Sequence, residues 1–283
     1  MKKMTSLAAA ALLAVLTLAA CGQPDDKGGT GGDSQAQTEP LRVGMEAAYA
    51  PFNWTQKDDS NGAVKIDGGG WAGGYDVQMA KLVAEHLKRD IVVVKTSWDG
   101  LIPALQSGKI DMIVAGMTPT EERKQAIDFS DNYYTSDIVI VVKKDSAYAD
   151  AKELADFKDA KITAQISTIH YDQFLDQIPG VDKQTALQDF PTMILAVKSG
   201  KADGYISERP GALSAVASNP ELTFVAFADG QGFDVEEVDT SIAIGLKKGS
   251  DLLKGVNEGL AAIPEAKRAE LMEQAVEEQP EAG

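Results

Sequence analysis

The sequence predicts an α/β protein of strands and flanking helices, divided into two lobes. Three observations carry that expectation. Past an N-terminal leader, strand-like runs alternate with helix-like runs from Leu41 to Ile178. Runs such as KIDMIVAG and IVIVV are apolar enough to be buried on both faces, as parallel strands are. The roughly 240 residues after the leader suffice for one large core or two lobes of ordinary domain size, and we favour two.

The chain opens MKKMTSLAAAALLAVLTLAAC, two lysines followed by an apolar run and a cysteine. This predicts a signal peptide over residues 1–20, too short to span a membrane as a stable helix. Leu18-Ala19-Ala20-Cys21 is similar to the bacterial lipobox, which would make Cys21 the lipidated N-terminus of the mature chain and its anchor to the membrane. The alternative is an ordinary cleaved signal with an incidental cysteine, or a buried start helix. Because Cys21 is the sole cysteine, a disulfide, a thiolate metal site and a cysteine nucleophile are excluded. Residues 21–40 lack apolar periodicity and are rich in Gly, Asp, Gln and Ser, as in a flexible tether. The expected location is the extracytoplasmic face of the bacterial cell membrane.

The expected elements then follow in order. LRVGM is a strand, and YDVQMAKLVAEHL a helix over 76–87 that Asp76 can cap; Val77, Ala80, Val83, Ala84 and Leu87 share one face. Between them GGGWAGG, 68–74, lacks the lysine and spacing of a phosphate loop and reads as a surface hairpin. DIVVV precedes the helix DGLIPALQS, and KIDMIVAG runs into Thr118-Pro119-Thr120-Glu121, which combines a capping box with proline at the first helical position. IVIVV, AKELADF, KITAQI and TIHYDQFLDQI continue the alternation. LLKGVNEGLAAI and EAKRAELMEQAVEE close the chain as two amphipathic helices.

The helix start after KIDMIVAG carries Arg123. Free N–H groups at such an end favour an anion, and the arginine adds a bidentate clamp for a carboxylate or phosphate. The other reading is an exposed arginine paired with neighbouring acids. Without Lys2 and Lys3, 25 bases face 43 acids, a net charge near −18 that repels nucleic acid and anionic lipid. His86 and His170 lie far apart with no second ligand at metal spacing, so no metal is expected. No Ser-His-Asp pattern or nucleophile elbow is present.

LRVGMEAAYAPFNW, GGYDVQMAKLVAEHL, SWDGLIPALQSGKIDMIVAGMTPTEERKQAIDFSDNYY, the AQIST turn and SGKADGYISERPGA together resemble, in order, the extracellular solute-binding proteins of polar amino acid ABC transporters. The resemblance implies a type II periplasmic-binding-protein fold, two α/β lobes joined by two hinge strands with the ligand in the cleft between them. Lobe one would comprise 41–135 and 228–283, and lobe two 136–227, with crossings at NYYTSD and TFVAF. It further implies that Arg123, with Thr118, holds the α-carboxylate of a free amino acid, that the Thr168 amide adds a donor, and that Glu208 binds the α-ammonium. Tyr49 and Trp98 would sandwich the ligand side chain, Phe52 lying in the same wall, and Glu46 would meet its far end.

Two departures stand out: Ala115 and Gly116 replace serines common in the family, leaving the Gly116 backbone, and Ser167-Thr168 replaces Gly-Thr, with Gln165 as a compensating group. The implied ligand is a cationic amino acid, arginine or lysine, with glutamine next. The implied partners are a membrane permease of an ABC importer and the membrane through the lipid anchor, the protein itself being a monomer that binds no nucleic acid, needs no cofactor and is not an enzyme. A dehydratase of prephenate or arogenate on the same fold, and a ligand-sensing module, are the alternatives.

Overall fold

The computed structural model describes residues 39–280; the signal segment, Cys21 and nearly all of the tether lie outside them. From the N-terminal side run β1 (Leu41–Met45), β2 (Ala48–Tyr49), β3 (Asn53–Gln56), β4 (Val64–Lys65), β5 (Trp71–Gly73), α1 (Tyr75–His86), β6 (Ile91–Lys95), α2 (Leu101–Gln106), β7 (Met112–Ile113), α3 (Glu121–Ala126) and β8 (Asp128–Thr135). Then follow β9 (Ile138–Lys143), β10 (Lys161–Thr163), β11 (Asp182–Lys183), α4 (Phe190–Lys198), β12 (Gly204–Glu208), α5 (Arg209–Ser218) and β13 (Leu222–Val225). The chain finishes with β14 (Ser241–Leu246), α6 (Leu252–Ala261) and α7 (Glu265–Glu278).

Two five-stranded sheets form the lobes, ordered β6-β1-β7-β14-β8 and β11-β10-β12-β9-β13. Four strands of each sheet run in the same direction, but only three are adjacent parallel partners, because one reversed strand separates the fourth from them. β14 runs antiparallel to β7 and β8, and β9 antiparallel to β12 and β13. The reason is the connectivity. The strand that has just crossed from the other lobe, β9 in one sheet and β14 in the other, inserts beside the parallel set and must run the opposite way to do so. Period-two burial shows the fit in β9. Val139 and Val141 join the larger core with Tyr205, Phe190 and Met193, whereas Ile138, Ile140 and Val142 join a second core with Phe157, Ile162 and Phe174.

The first crossing lies at Ser136 and Asp137, just after NYYT. The return comes later than TFVAF: Phe227 and Phe233 still pack on the second core, and the two crossings touch where the Ser136 N–H donates to the Thr240 carbonyl at 3.0 Å. The segment 228–235 therefore packs with lobe two, beyond the expected limit at 227.

Three local expectations are corrected. Helix α1 begins after Gly74, not on an Asp76 cap; Gly74 has φ 116, and a Cβ there would lie 2.4 Å from the Phe52 carbonyl oxygen. Asp76 points inward instead. The cap of α3 is Thr120, whose hydroxyl accepts from the Arg123 N–H at 3.3 Å, so Thr118-Pro119 stays outside the helix and Arg123 stands three residues past the cap rather than five. AKELADF and TIHYDQFLDQI form short turns, a 3-10 turn at Leu154–Phe157 and a π turn at His170–Phe174 running into another 3-10 turn at Leu175–Gln177. GGGWAGG does form a hairpin tip between β4 and β5, with Gly68, Gly69 and Gly70 all at positive φ. No helix among the described residues is long and apolar enough to cross a membrane.

Candidate ligand-binding cleft

The site lies where the ends of β7 and β12 approach each other from the two lobes. On the first, the chain leaves β7 through Gly116, at φ 63 with only 3.1 Å between a built Cβ and the Tyr49 ring, so a side chain there meets both strain and the ring. The short helix α3 then aims Arg123 across the cleft. Its guanidinium donates to the Thr118 carbonyl at 2.9 Å and to the Ser167 carbonyl of the second lobe at 3.1 Å, and lies 5.1 Å from the Trp98 ring centroid. Burial pulls the Arg123 pKa down to about 10 against the opposing pull of Glu122, Asp172 and Glu208, so it remains a cation at neutral pH.

From the second lobe, β12 ends in Glu208, which occupies the cap position of α5 with its side chain turned into the cleft. The Glu208 carboxylate accepts a short hydrogen bond from the Tyr49 hydroxyl, and its other oxygen lies 3.5 Å from His170 Nε2. Burial lowers the His170 pKa, with Glu208 opposing and Arg123 reinforcing the shift, so the imidazole is neutral. One lobe thus presents a guanidinium and the other a carboxyl group.

Eight of the ten predicted site residues line one small cavity: Tyr49, Trp98, Gly116, Thr118 and Arg123 from the first lobe, and Gln165, Thr168 and Glu208 from the second. Its volume is about 20 Å³, room for little more than a single water. Phe52 is not in this wall. It is fully buried behind Tyr49, edge-on to Tyr75 and Tyr134, and belongs to the core. Glu46 also stands off the cavity, accepting from Gln165 Nε2 at 3.0 Å across the cleft. Burial raises its pKa to about 7, more than the Gln165 hydrogen bond lowers it, while Asp189 and Asp99 push it further up.

Three lining residues escaped the sequence reading: Ile169, His170 and Phe190. Phe190 stacks flat on Tyr49, ring centroids 3.9 Å apart and planes 9° apart. A sequence signal for it did exist. Asp189 caps α4 with Pro191 in its first turn, which places Phe190 at the helix start, as Glu208 is placed at the start of α5.

Beneath the cavity lies a buried polar chain. The Gly116 N–H donates to the Tyr133 hydroxyl at 3.2 Å, which donates to Asp76 Oδ1 at 2.6 Å, while Asn53 Nδ2 donates to Asp76 Oδ2 at 2.8 Å. Burial raises the Asp76 pKa to about 6 in spite of these donors. The Gly116 amide is thereby committed to the protein, leaving its carbonyl as the backbone group it can offer a ligand. Outside the cavity a vestibule of about 690 Å³ shares Arg123, Thr168 and Ile169 with it and carries Glu121, Glu122, Asp172, Asp234, Glu236 and Asp239.

The sequence model for the bacterial extracellular solute-binding proteins, family 3, matches residues 41–277. This chain belongs to that family. Among its family-3 relatives, the probable histidine-binding protein of Campylobacter jejuni is 33% identical over 225 residues, covering 79% of each chain. The arginine-binding extracellular protein ArtP of Bacillus subtilis is 30% identical over 264 residues, 92% of each. The crystal structure of the amino acid ABC transporter substrate-binding protein AbpA of Streptococcus pneumoniae, bound to L-arginine, aligns with a TM-score of 0.71 at 27% identity over 84% of this chain and 94% of that one. The two-lobed, type II binding-protein fold of family 3 is therefore the fold of this chain.

Proposed function

We propose that this family-3 chain is the lipid-anchored receptor of an amino acid ABC importer, capturing a free amino acid outside the cytoplasm and delivering it to a membrane permease. The observation that carries the reading is the placement of Arg123 and Glu208, from different lobes, in one cavity. An α-carboxylate on the first and an α-ammonium on the second satisfy both charges only when the lobes are together, which ties binding to closure. With about 20 Å³ free, the ligand enters only after the lobes part and Arg123 releases the Ser167 carbonyl.

Arginine or lysine is the preferred ligand, glutamine the next. Once the zwitterion has paired Arg123 and Glu208, Glu46 remains as a buried carboxyl group with the Gln165 amide, but no cation, beside it. A side-chain cation replacing the Gln165 amide stabilises its ionised form; glutamine offers only a dipole. The six carboxylates of the vestibule act in the same direction by concentrating cations at the entrance. ArtP and the arginine-bound AbpA support the same choice by likeness.

Calorimetric titration of the purified exported domain with each of the twenty amino acids tests this. A saturable site of micromolar or tighter affinity for arginine or lysine, without turnover, is the expected result. The neutral His170 beside Glu208 gives a dehydratase reading its one structural support, since the pair could pass a proton. Product formation from prephenate or arogenate would replace the receptor reading with that one.

A further inference from the structure

On the far side of the Tyr49–Phe190 stack lies a second, larger cavity of about 340 Å³. Its walls come from both lobes: Ala48, Ala50, Gln279 and Pro280 on one side, the facing surfaces of α4 and α5 on the other. Phe190, Ile194 and the alanines make it mostly apolar. Its floor includes Tyr205 of β12, which is fully buried and whose hydroxyl finds no hydrogen-bond partner among the described residues. A buried phenol that makes no hydrogen bond carries a desolvation cost that a bound polar group would remove. The one charged residue of the lining, Lys198, is already engaged by Asn219 at 2.7 Å and Glu221 at 3.1 Å.

We propose that this cavity is a second ligand site, taking a compact neutral molecule with an apolar body of one or two rings and a single hydrogen-bonding group directed to the Tyr205 hydroxyl. Size supports that class, since the cavity is roughly twice the ~150 Å³ void that accommodates benzene in an apolar protein interior. Charge does as well. A charged ligand would meet no free counter-ion in the walls, whereas Phe190 and Ile194 offer dispersion contacts to a ring. Because the walls belong to both lobes, the site is complete only when they are together, and its occupant stabilises that arrangement. Phe190 walls both this cavity and the small one beside Arg123, so the two sites share one aromatic wall. The Ser214 hydroxyl of α5, bonded to Gln279 just past α7, ties the lobes together at the rim.

Titration of the exported domain with 4-ethylphenol, without any amino acid present, tests the site independently of the primary ligand. Ligand-observed nuclear magnetic resonance reads the affinity. Saturable binding is expected, weakened at least tenfold by Tyr205→Phe, which deletes only the unpartnered hydroxyl, and abolished by Ile194→Trp, which fills the cavity from a half-buried position. Circular dichroism establishes that each variant is folded. Lack of saturable binding by the unaltered protein, or binding by folded Tyr205→Phe equal to the original, would overturn the proposal.

Discussion

The two lobes are built on the same plan, yet they hold their halves of the cleft in different ways. In the first, Arg123 stands on a capped helix and Gly116 is fixed from below by Tyr133 and Asp76, so the cleft-facing surface rests on a buried polar chain. In the second, Gln165, Thr168 and His170 come from irregular turns after β10. They are tied by the Thr168 hydroxyl donating to the Gln165 carbonyl at 2.7 Å and by Gln165 reaching the Gln188 carbonyl at 3.0 Å. The lesson is that one wall is supported from its core and the other mainly by its own loop and by contacts with the opposite lobe. On the proposed reading, a ligand carboxylate would meet the wall supported from its core, and the ligand ammonium the wall held by its own loop and by the opposite lobe.

The largest effect should come from removing the prepared cation. Arg123→Ala is expected to abolish amino acid binding, a loss of about 2–5 kcal/mol, because it leaves the ligand carboxylate unpaired in a desolvated cleft. Titration calorimetry measures the loss, and an unaltered circular dichroism spectrum separates it from unfolding. Unchanged affinity would place the carboxylate elsewhere.

Next comes the pH response of Glu46. Its pKa is raised to about 7 without ligand, so below that value it is protonated and must release a proton to pair with a ligand cation. Arginine affinity should therefore rise by up to about tenfold per pH unit from 5 to 7 and level off above, each unit worth about 1.4 kcal/mol. Glu46→Gln should flatten the profile and cost arginine or lysine affinity while sparing glutamine. Equal affinities before and after the change would defeat the assignment. For folding the sign is reversed: the raised pKa values of Glu46 and Asp76 contribute stability that is full below the unfolded carboxylate range and is lost as pH climbs through about 6 to 7.

A third test addresses the supported wall. Tyr133→Phe leaves Asp76 Oδ1 and the Gly116 N–H without their partner, and should lower stability by about 1–3 kcal/mol in denaturant titration. If the chain beneath Gly116 matters for binding, ligand affinity falls in the same variant at temperatures where it is fully folded. The smallest effect belongs to Arg209, whose guanidinium pairs with Asp137 at 2.9 Å beside the first crossing. Both groups are exposed, so Arg209→Ala should change stability by less than about 1 kcal/mol. A larger loss would mean that the crossing is braced by this pair.

What the sequence disclosed follows the same division. Arg123 and Thr118 were legible because a cap, a proline and a strand end are encoded within a few residues, although the cap itself lies at Thr120. The role of Asp76 was misread for the opposite reason: its partner Tyr133 is 57 positions away, and a capping aspartate and a buried one look alike locally. Phe190 and His170 were missed because each becomes part of the site only through the approach of another element, Tyr49 in one case and Glu208 in the other. Phe52 was placed in the wall because it neighbours Tyr49 in sequence, whereas the turn through Ala50 and Pro51 sends the two rings to different depths. The antiparallel strands could not be read from composition, since β9 and β14 are as apolar as parallel strands and only the crossings set their direction.

Those crossings also bear on how the chain is completed as it emerges from a translocation channel. The first lobe's sheet has its fourth position filled by β14, so β8 has no strand partner until Ser241–Leu246 has been exported. The second lobe, by contrast, is one continuous stretch and has all five strands in hand by Val225. Vectorial delivery therefore completes the later lobe before the earlier one. A chain stalled short of residue 241 would present β7 and β8 as open edges to neighbouring chains, the surface that export chaperones and proteases are placed to find.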